Sequence, residues 1–192
     1  MENPRKTDRR TLYTINAIKE AFLQLKQNKP FNAISITSLC KEAEISRGTF
    51  YLHYNNTGEL LDELLDEALA KVSGLLCQLS IVDSDPAVRC TYPLGLYLRE
   101  NPKLHGLFFD DTLTSYIIKK VASLFKDSYL KEMKERSDLT KDQMEALYYF
   151  QLSGCLAVSK RGINLDLESW RSVQGVIDIF VKCGLAAHIS KK

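Results

Sequence analysis

The residues best suited to chemistry in this chain lie close together between residues 46 and 54, where the sequence reads SRGTFYLHY. Ser46 can cap a short helix, because a serine oxygen accepts a hydrogen bond from a backbone N–H two or three residues later. The side chains left for the outer face of that helix are those of Arg47, Gly48, Thr49, Tyr51 and His53. Guanidinium, hydroxyl and imidazole groups bind phosphates and base edges. This stretch therefore predicts contact with nucleic acid.

Two short helices must position these groups. Phe50 and Tyr54 are four residues apart and share the inward face of the second helix. In the preceding helix Thr37 is a candidate cap, and the small Ala43 lets the two helices cross closely at a tight turn. The pattern predicts a helix-turn-helix module for reading DNA. Two ordinary short helices in an all-α core would give the same generic pattern.

The particular residues narrow that choice. The sequence has Ile36-Thr37, then Ala43, then ISRGTFY over residues 45–51, and then His53-Tyr54. This combination closely resembles the helix-turn-helix signature of the TetR family of transcriptional regulators, and the resemblance is sharp from about residue 7 to 69. The chain departs from the family pattern at Glu44, where glycine is usual. It departs again at Thr57, where many members have a phosphate-binding lysine.

The resemblance implies an all-α homodimer whose second motif helix lies in the major groove of double-stranded DNA. It implies a larger C-terminal domain that binds a small apolar or amphipathic effector. The predicted function is a repressor that such an effector releases from an inverted-repeat operator. The alternative is a co-activator or adaptor that acts through a protein partner without an inducer. The predicted DNA-binding residues are Arg9, Arg10, Thr37, Ser46, Arg47, Gly48, Thr49, Tyr51 and His53.

Charge is distributed unevenly along the 192 residues. Residues 1–58 carry nine Lys and Arg against five Asp and Glu, although the whole chain has a formal net charge of only +2. A basic N-terminal module suits a polyanionic partner at one end of the protein. No apolar run approaches the length of a membrane helix, and the N-terminus does not resemble a signal peptide. We therefore expect a cytoplasmic protein with no membrane partner.

The order of patterns predicts two domains. Residues 1–56 form the helix-turn-helix DNA-binding domain, which begins with a basic arm that includes Arg5 and Lys6. Residues 57–192 form the helical effector-binding and dimerisation domain, entered through a long helix from Thr57 to about Leu79. A predicted break with a helix cap at Asp85 follows that helix. The fold class is all-α.

Aromatic residues are dense in kinked helical segments between residues 92 and 129. Most of them are ordinary core residues in the simplest interpretation, but the TetR-like resemblance places an effector pocket here. The predicted effector-binding residues are Tyr97, Phe108, Tyr116 and Phe125.

The last two helices carry long apolar stripes. Thr140 and Gln143 form a capping-box pattern that opens the first of them, and the second contains the stripe Trp170, Val173, Ile177, Phe180, Val181, Gly184 and Leu185. The resemblance places a dimer interface here. The predicted dimerisation residues are Leu147, Gly154, Val158, Val173, Ile177, Phe180 and Gly184.

No combination of residues predicts catalysis. The three histidines are far apart in sequence, and the five cysteines lack metal-ligand spacing. The sequence has no nucleophile elbow, zinc-protease motif or phosphate-binding glycine loop. We therefore predict a protein that is not an enzyme and has no cofactor and no metal site.

Overall fold

The computed structural model describes residues 9–76 and 93–188, and these residues form helices and no β-strand. The predicted arm residues Arg5 and Lys6 and the predicted cap at Asp85 lie outside this part of the chain. Short 3₁₀ turns occupy Phe31–Ala33 and Pro102–Leu104. In chain order the helices are α1 (Arg9–Lys26), α2 (Ile36–Glu42), α3 (Arg47–Tyr51), α4 (Thr57–Leu76), α5 (Pro93–Glu100), α6 (His105–Phe108), α7 (Thr114–Arg136), α8 (Lys141–Gly162) and α9 (Leu167–Ala186).

The described residues divide into two compact units. Unit 1 contains residues 9–68 and 103–113, so it holds α1 to α3, the first part of α4, and α6. Unit 2 contains the end of α4 together with α5, α7, α8 and α9. The predicted functional division after residue 56 stays a prediction, and the compact unit around the helix-turn-helix is larger than that division.

Unit 1 is built around α1, which packs against α2 and α6, while α2 packs against α3. Its largest fully buried side chains are apolar, and burial of each contributes about 1.5–3 kcal/mol to folding. They are Ile18, Phe22, Leu39, Phe50, Leu60, Leu65 and Leu107. Helix α4 also buries Leu61, Leu64, Ala68 and Leu69.

A buried ion pair joins the end of α1 to the segment after α6. The Lys26 ammonium donates to the Asp110 carboxylate, and the two side chains are 1% and 6% exposed. The Phe31 N–H and the Thr112 N–H each donate to an oxygen of Asp110 at 2.8 Å. Burial alone would raise the pKa of Asp110, but these donors lower it well below its usual range. Asp110 is therefore held as a fully bonded carboxylate.

A second buried lysine joins α1 to α4. Lys19 donates to Glu63 at 2.5 Å and to Glu67 at 2.6 Å. Burial opposes the charge of Lys19, but the two carboxylates raise its pKa overall. Burial and the neighbouring Glu63 carboxylate raise the pKa of the Tyr54 hydroxyl. Both buried lysines of unit 1 are thus paired with acids.

Glycine at position 106 allows α6 to approach α1 closely. A Cβ atom there would overlap the backbone carbonyl of Lys26. Gln27 adds a hydrogen bond to the Lys103 carbonyl at 2.9 Å. Segment 103–113 therefore packs closely against the end of α1, from which it is far away in the sequence.

In unit 2, α8 packs against α7 and α5. The predicted capping box at its start is confirmed: Thr140 accepts from the Gln143 N–H, and Gln143 accepts from the Thr140 N–H. Helix α7 buries Ile117, Val121 and Met133 along one face. Leu124 of the same helix is half exposed.

The stripe predicted for α9 as part of a dimer interface differs from the face that this helix buries within its own unit. The buried residues of α9 are Trp170, Gln174, Asp178 and Leu185. They recur at about one helical turn and form a continuous face with two polar members. Two apolar members of the predicted stripe, Val173 and Phe180, are exposed instead. Tertiary packing has turned much of the apolar surface of α9 outward.

Candidate nucleic-acid interface

Helix α2 begins one residue earlier than Thr37, and Ser35 is its N-cap. The Ser35 side chain accepts from the Ser38 N–H at 3.1 Å, and the Ser38 side chain accepts from the Ser35 N–H at 3.1 Å. The prediction of Thr37 as the cap is therefore wrong, because this reciprocal pair already satisfies the first turn. Thr37 itself is exposed in that turn and stays a predicted DNA contact.

The turn between α2 and α3 depends on one residue in the left-handed region. Glu44 has φ 54°, the only positive value among non-glycine residues in the described ranges. Its conformation lets the Ile45 N–H donate to the Cys40 carbonyl at 3.0 Å. Glycine adopts this conformation without strain, whereas a Cβ disfavours it. The turn thus has a backbone conformation in which glycine is usual, but the residue at this position is Glu44.

Ser46 caps α3, as predicted. Its side chain accepts from the Thr49 N–H at 3.0 Å, and its backbone is extended. The predicted inward residues are also confirmed, since Phe50 is fully buried, Tyr54 is nearly so, and their ring centroids are 5.8 Å apart. These two rings fix which side of α3 faces solvent.

The solvent side of α3 brings together most of the predicted DNA-binding residues. Arg47, Gly48 and Tyr51 are exposed, and Thr49 and His53 are partly exposed. The Tyr51 phenol lies beside Arg47 and raises the pKa of that guanidinium. The face therefore combines a permanent cation, a glycine that allows close approach, and hydroxyl groups.

Leu52 also lies on the solvent side of α3, although it was not among the predicted DNA-binding residues. It is the C-cap of α3 and is 81% exposed. Counting 100° per residue, it lies opposite the buried Phe50 and Tyr54. The outward position of Leu52 follows from the sequence, since it is two residues away from both Phe50 and Tyr54. An apolar side chain at the centre of an otherwise polar face was not interpreted as functional.

The remaining predicted contacts lie on neighbouring elements. Arg9 and Arg10 are exposed at the first described turn of α1. Thr57 opens α4 and is partly exposed. Asn56 caps this helix by accepting from the Glu59 N–H at 3.0 Å. Thr57 thus occupies the first turn of a capped helix, where a lysine could also stand.

The predicted effector-binding residues are not gathered into one compact unit. Phe108 is buried in unit 1, whereas Tyr97, Tyr116 and Phe125 belong to unit 2. Burial raises the pKa of the Tyr97 hydroxyl, and Tyr116 is partly exposed. A cleft of about 470 Å³ in unit 1 lies between the end of α1 and residues 105–112, and none of the four residues lines it.

The predicted dimerisation residues lie away from the buried faces of their helices. Gly154 and Gly184 are exposed, and a Cβ at either position would meet no described atom within 4 Å other than the neighbouring residues of its own helix. Leu147, Val158 and Ile177 are partly exposed. The large apolar side chains exposed on α8 and α9 are Tyr149, Phe150, Leu167, Val173, Val176, Ile179 and Phe180.

The described ranges contain neither a candidate metal site nor a candidate membrane-spanning helix. Within residues 9–76 and 93–188, no three His, Cys, Asp or Glu side chains are grouped so that they could hold a metal ion. In the same part of the chain, no helix combines the length and apolar content needed to cross a bilayer.

Comparison with known proteins by sequence gives one short match. No family model matches the chain. A segment of 72 residues is 33% identical to a Bacillus subtilis (strain 168) protein described as the uncharacterized HTH-type transcriptional regulator YxbF. The match spans 37% of this chain and only 19% of that relative.

Comparison with solved structures extends over nearly the whole chain. The fatty acid degradation regulator FadR from Bacillus halodurans gives a TM-score of 0.63 at 14% identity, covering 96% of this chain and 98% of that one. A TetR-like transcriptional regulator from Rhodococcus sp. RHA1 gives 0.57 at 18% identity, covering 96% and 99%. The dihydroxyacetone kinase operon activator DhaS gives 0.54 at 17% identity, covering 92% and 98%. The chain therefore has the all-α fold of TetR-like regulators.

Proposed function

We propose that this chain, which has the TetR-like fold, is a homodimeric transcriptional regulator that binds double-stranded DNA through α3. The observation that carries the proposal is the exposed face of that helix. Phe50 and Tyr54 anchor α3 in unit 1, so that Arg47, Gly48 and Tyr51 remain available for phosphates and base edges. The 33% identity to an HTH-type regulator over 72 residues supports the same function.

The length of α3 supports action as a dimer. Its five residues span about 7.5 Å at 1.5 Å per residue, which matches only about two base-pair steps. One copy would read too few bases to distinguish a site in a genome. Two copies related by a two-fold axis would read an inverted repeat with half-sites about one helical turn, or a multiple of it, apart.

The outward apolar surface of α8 and α9 supports a position for the second copy. Phe150, Val176, Ile179 and Phe180 are each more than 60% exposed. A monomer that left these side chains in water would lose the free energy that burial provides, about 25 cal/mol per Å². Pairing of α8 and α9 with the same helices of a second copy would bury them.

We propose that the protein represses transcription and that a small-molecule effector relieves this repression. The carboxamide of Gln174 is buried in unit 2 and has no hydrogen bond within residues 9–76 and 93–188, which supports an effector site in that unit. The second candidate is activation through a partner, and the structural likeness to an operon activator, DhaS, favours it. Repression predicts that a bound effector lowers DNA affinity, whereas the partner mechanism predicts DNA affinity that small molecules leave unchanged.

Selection from a pool of random duplexes tests the central proposal. The selected sites should be inverted repeats, and a direct repeat would contradict two-fold symmetry. Arg47→Ala should relax preference at particular bases, while Tyr51→Ala should weaken binding to all duplexes by a similar factor. Failure of the wild-type protein to enrich any duplex at low salt would remove DNA binding from the proposed function.

A further inference from the structure

The inner face of α9 contains a polar side chain that protein folding alone does not explain. Gln174 is 6% exposed, yet among the described residues neither its amide nitrogen nor its carbonyl oxygen has a hydrogen-bond partner. A buried carboxamide offers two N–H donors and an acceptor oxygen. Leaving them unbonded is unfavourable, so a group of this kind in a native protein needs an explanation such as a bound molecule.

Gln151, on α8 of the same unit, shows the usual alternative. Its amide donates to the Tyr129 hydroxyl at 3.3 Å, so this glutamine joins α7 to α8. Gln174 has no such role between helices. The contrast shows that unit 2 can satisfy a glutamine by its own side chains, and that at position 174 it does not.

The surroundings of Gln174 follow from the contact between α8 and α9. The two helices are joined by a short loop and meet where Trp170 packs on Gly162. One turn before Gly162 lies the buried Ser159, and one turn after Trp170 lies Gln174. The same face of α9 continues to the buried Asp178. The inner face of α9 therefore carries two polar side chains, Gln174 and Asp178, inside a unit whose other large buried residues are apolar or aromatic.

We propose that Gln174 is the polar recognition residue of the effector site, on the inner face of α9. This inference rests on the proposed function and specifies the class of effector. A carboxamide is satisfied by a neutral group that both accepts and donates, such as a hydroxyl or a primary amide. An anionic group would have to be buried beside a neutral amide and one helical turn from the Asp178 carboxylate, which is strongly unfavourable. The effector is an amphipathic molecule with an apolar body and a hydrogen-bonding head that carries no negative charge.

The first test measures stability without any ligand. Gln174→Leu removes the unbonded groups at similar volume and should raise the Tm by about 2–4 °C. Gln151→Leu is the matched control, because the same substitution there removes a formed hydrogen bond and should leave the Tm unchanged or lower it. If Gln174→Leu does not fold, Gln174→Met replaces it. A lower Tm for both position-174 variants would show that Gln174 has a structural partner and would overturn the proposal.

The second test uses small aromatic probes that differ only in the head group. Benzamide and benzyl alcohol should bind the wild-type protein at least about tenfold more tightly than toluene or benzoate, as measured by ligand-observed NMR. In Gln174→Leu the preference for benzamide over toluene should disappear, while Gln151→Leu should retain it. Equal binding of benzamide and toluene by the wild type, or an unchanged preference in Gln174→Leu, would refute the role of Gln174.

These measurements do not involve DNA, so the two proposals can fail separately. Loss of duplex binding with intact benzamide discrimination would remove the regulatory function and leave the site. Duplex binding without benzamide discrimination would leave the regulator and remove the site. A crystal structure soaked with benzamide in which one water bonds to both amide atoms of Gln174, and is not displaced, would also overturn the proposal.

Discussion

In unit 1 the two buried lysines, Lys19 and Lys26, bond to carboxylates of the same unit, whereas in the described part of unit 2 the buried Gln174 amide has no hydrogen-bond partner. The units also differ at their surfaces. The outward side of α3 is mainly polar, while α9 exposes Val176, Ile179 and Phe180. Unit 1 pairs both of its buried lysines by itself, although its buried Tyr54 hydroxyl makes no hydrogen bond among the described residues. Unit 2 leaves the Gln174 amide unbonded inside and apolar side chains uncovered outside, which is expected of a unit that other molecules complete.

The strongest test of this comparison is removal of one partner of the buried pair in unit 1. Lys26→Met leaves the Asp110 carboxylate buried without its cation and should destabilise the protein by about 3–5 kcal/mol in urea unfolding. The double variant Lys26→Met/Asp110→Leu should recover most of the loss, because no charge remains buried. A single variant as stable as the wild type would show that the pair does not hold α1 to segment 103–113.

The apolar surface of unit 2 is tested next. Phe180→Glu should raise the dimer dissociation constant by about 30-fold or more, the effect of losing a hot-spot aromatic of about 2 kcal/mol. Sedimentation of the wild type should give about twice the 21.9 kDa chain mass. Leu167→Glu is the control, since Leu167 is an exposed apolar residue on another side of α9. A monomeric wild type at micromolar concentration would contradict the role given to this surface.

Acid should weaken unit 1 through Asp110. Its pKa is lowered in the folded state, so its stabilising contribution is complete above the unfolded pKa of about 3.9 and is lost as the pH falls through the folded value. Between pH 6 and pH 2 the wild type should lose about 1–2 kcal/mol more than Lys26→Met/Asp110→Leu. Unfolding curves at several pH values measure this difference. Parallel losses in the two proteins would mean that Asp110 titrates normally.

A smaller effect is expected at the strained turn of unit 1. Glu44→Gly should stabilise the protein by about 1 kcal/mol, because glycine adopts a positive φ without the Cβ penalty. Glu44→Ala keeps a Cβ and should give no comparable gain. Thermal unfolding of both variants distinguishes backbone strain from loss of the carboxylate. Equal gains in the two would place the cause in the charge.

The smallest effect concerns Thr57, where the resemblance would allow a lysine. Thr57→Lys should tighten non-specific DNA binding and steepen the dependence of log affinity on log salt by roughly one unit per half-site. Titrations at several salt concentrations measure the slope. Glu20→Gln, on the outer face of α1, serves as a control for the change in net charge. Superimposable curves for Thr57→Lys and wild type would show that position 57 does not face a phosphate.

The sequence alone determined the features that local chemistry sets. Ser46 and Thr140 were identified as caps because the hydrogen bonds of a cap reach only three residues along the chain. The inward positions of Phe50 and Tyr54 followed from the period of the helix. The cap at Ser35 is also a local feature, but the sequence did not distinguish it from Thr37. Both side chains are chemically suitable, and the choice depends on which residue begins α2.

Tertiary structure decided the features that depend on distant residues. Lys26 and Asp110 are 84 positions apart, and neither carries a local sign of its partner. In α9, Trp170, Val173, Ile177 and Phe180 follow a helical period, but periodicity does not say whether an apolar face is covered by the same chain or by another molecule. The hydrophobic effect is non-directional, so it does not select which molecule covers an apolar face. The packing of α9 against its own unit placed Gln174 inside and Phe180 outside.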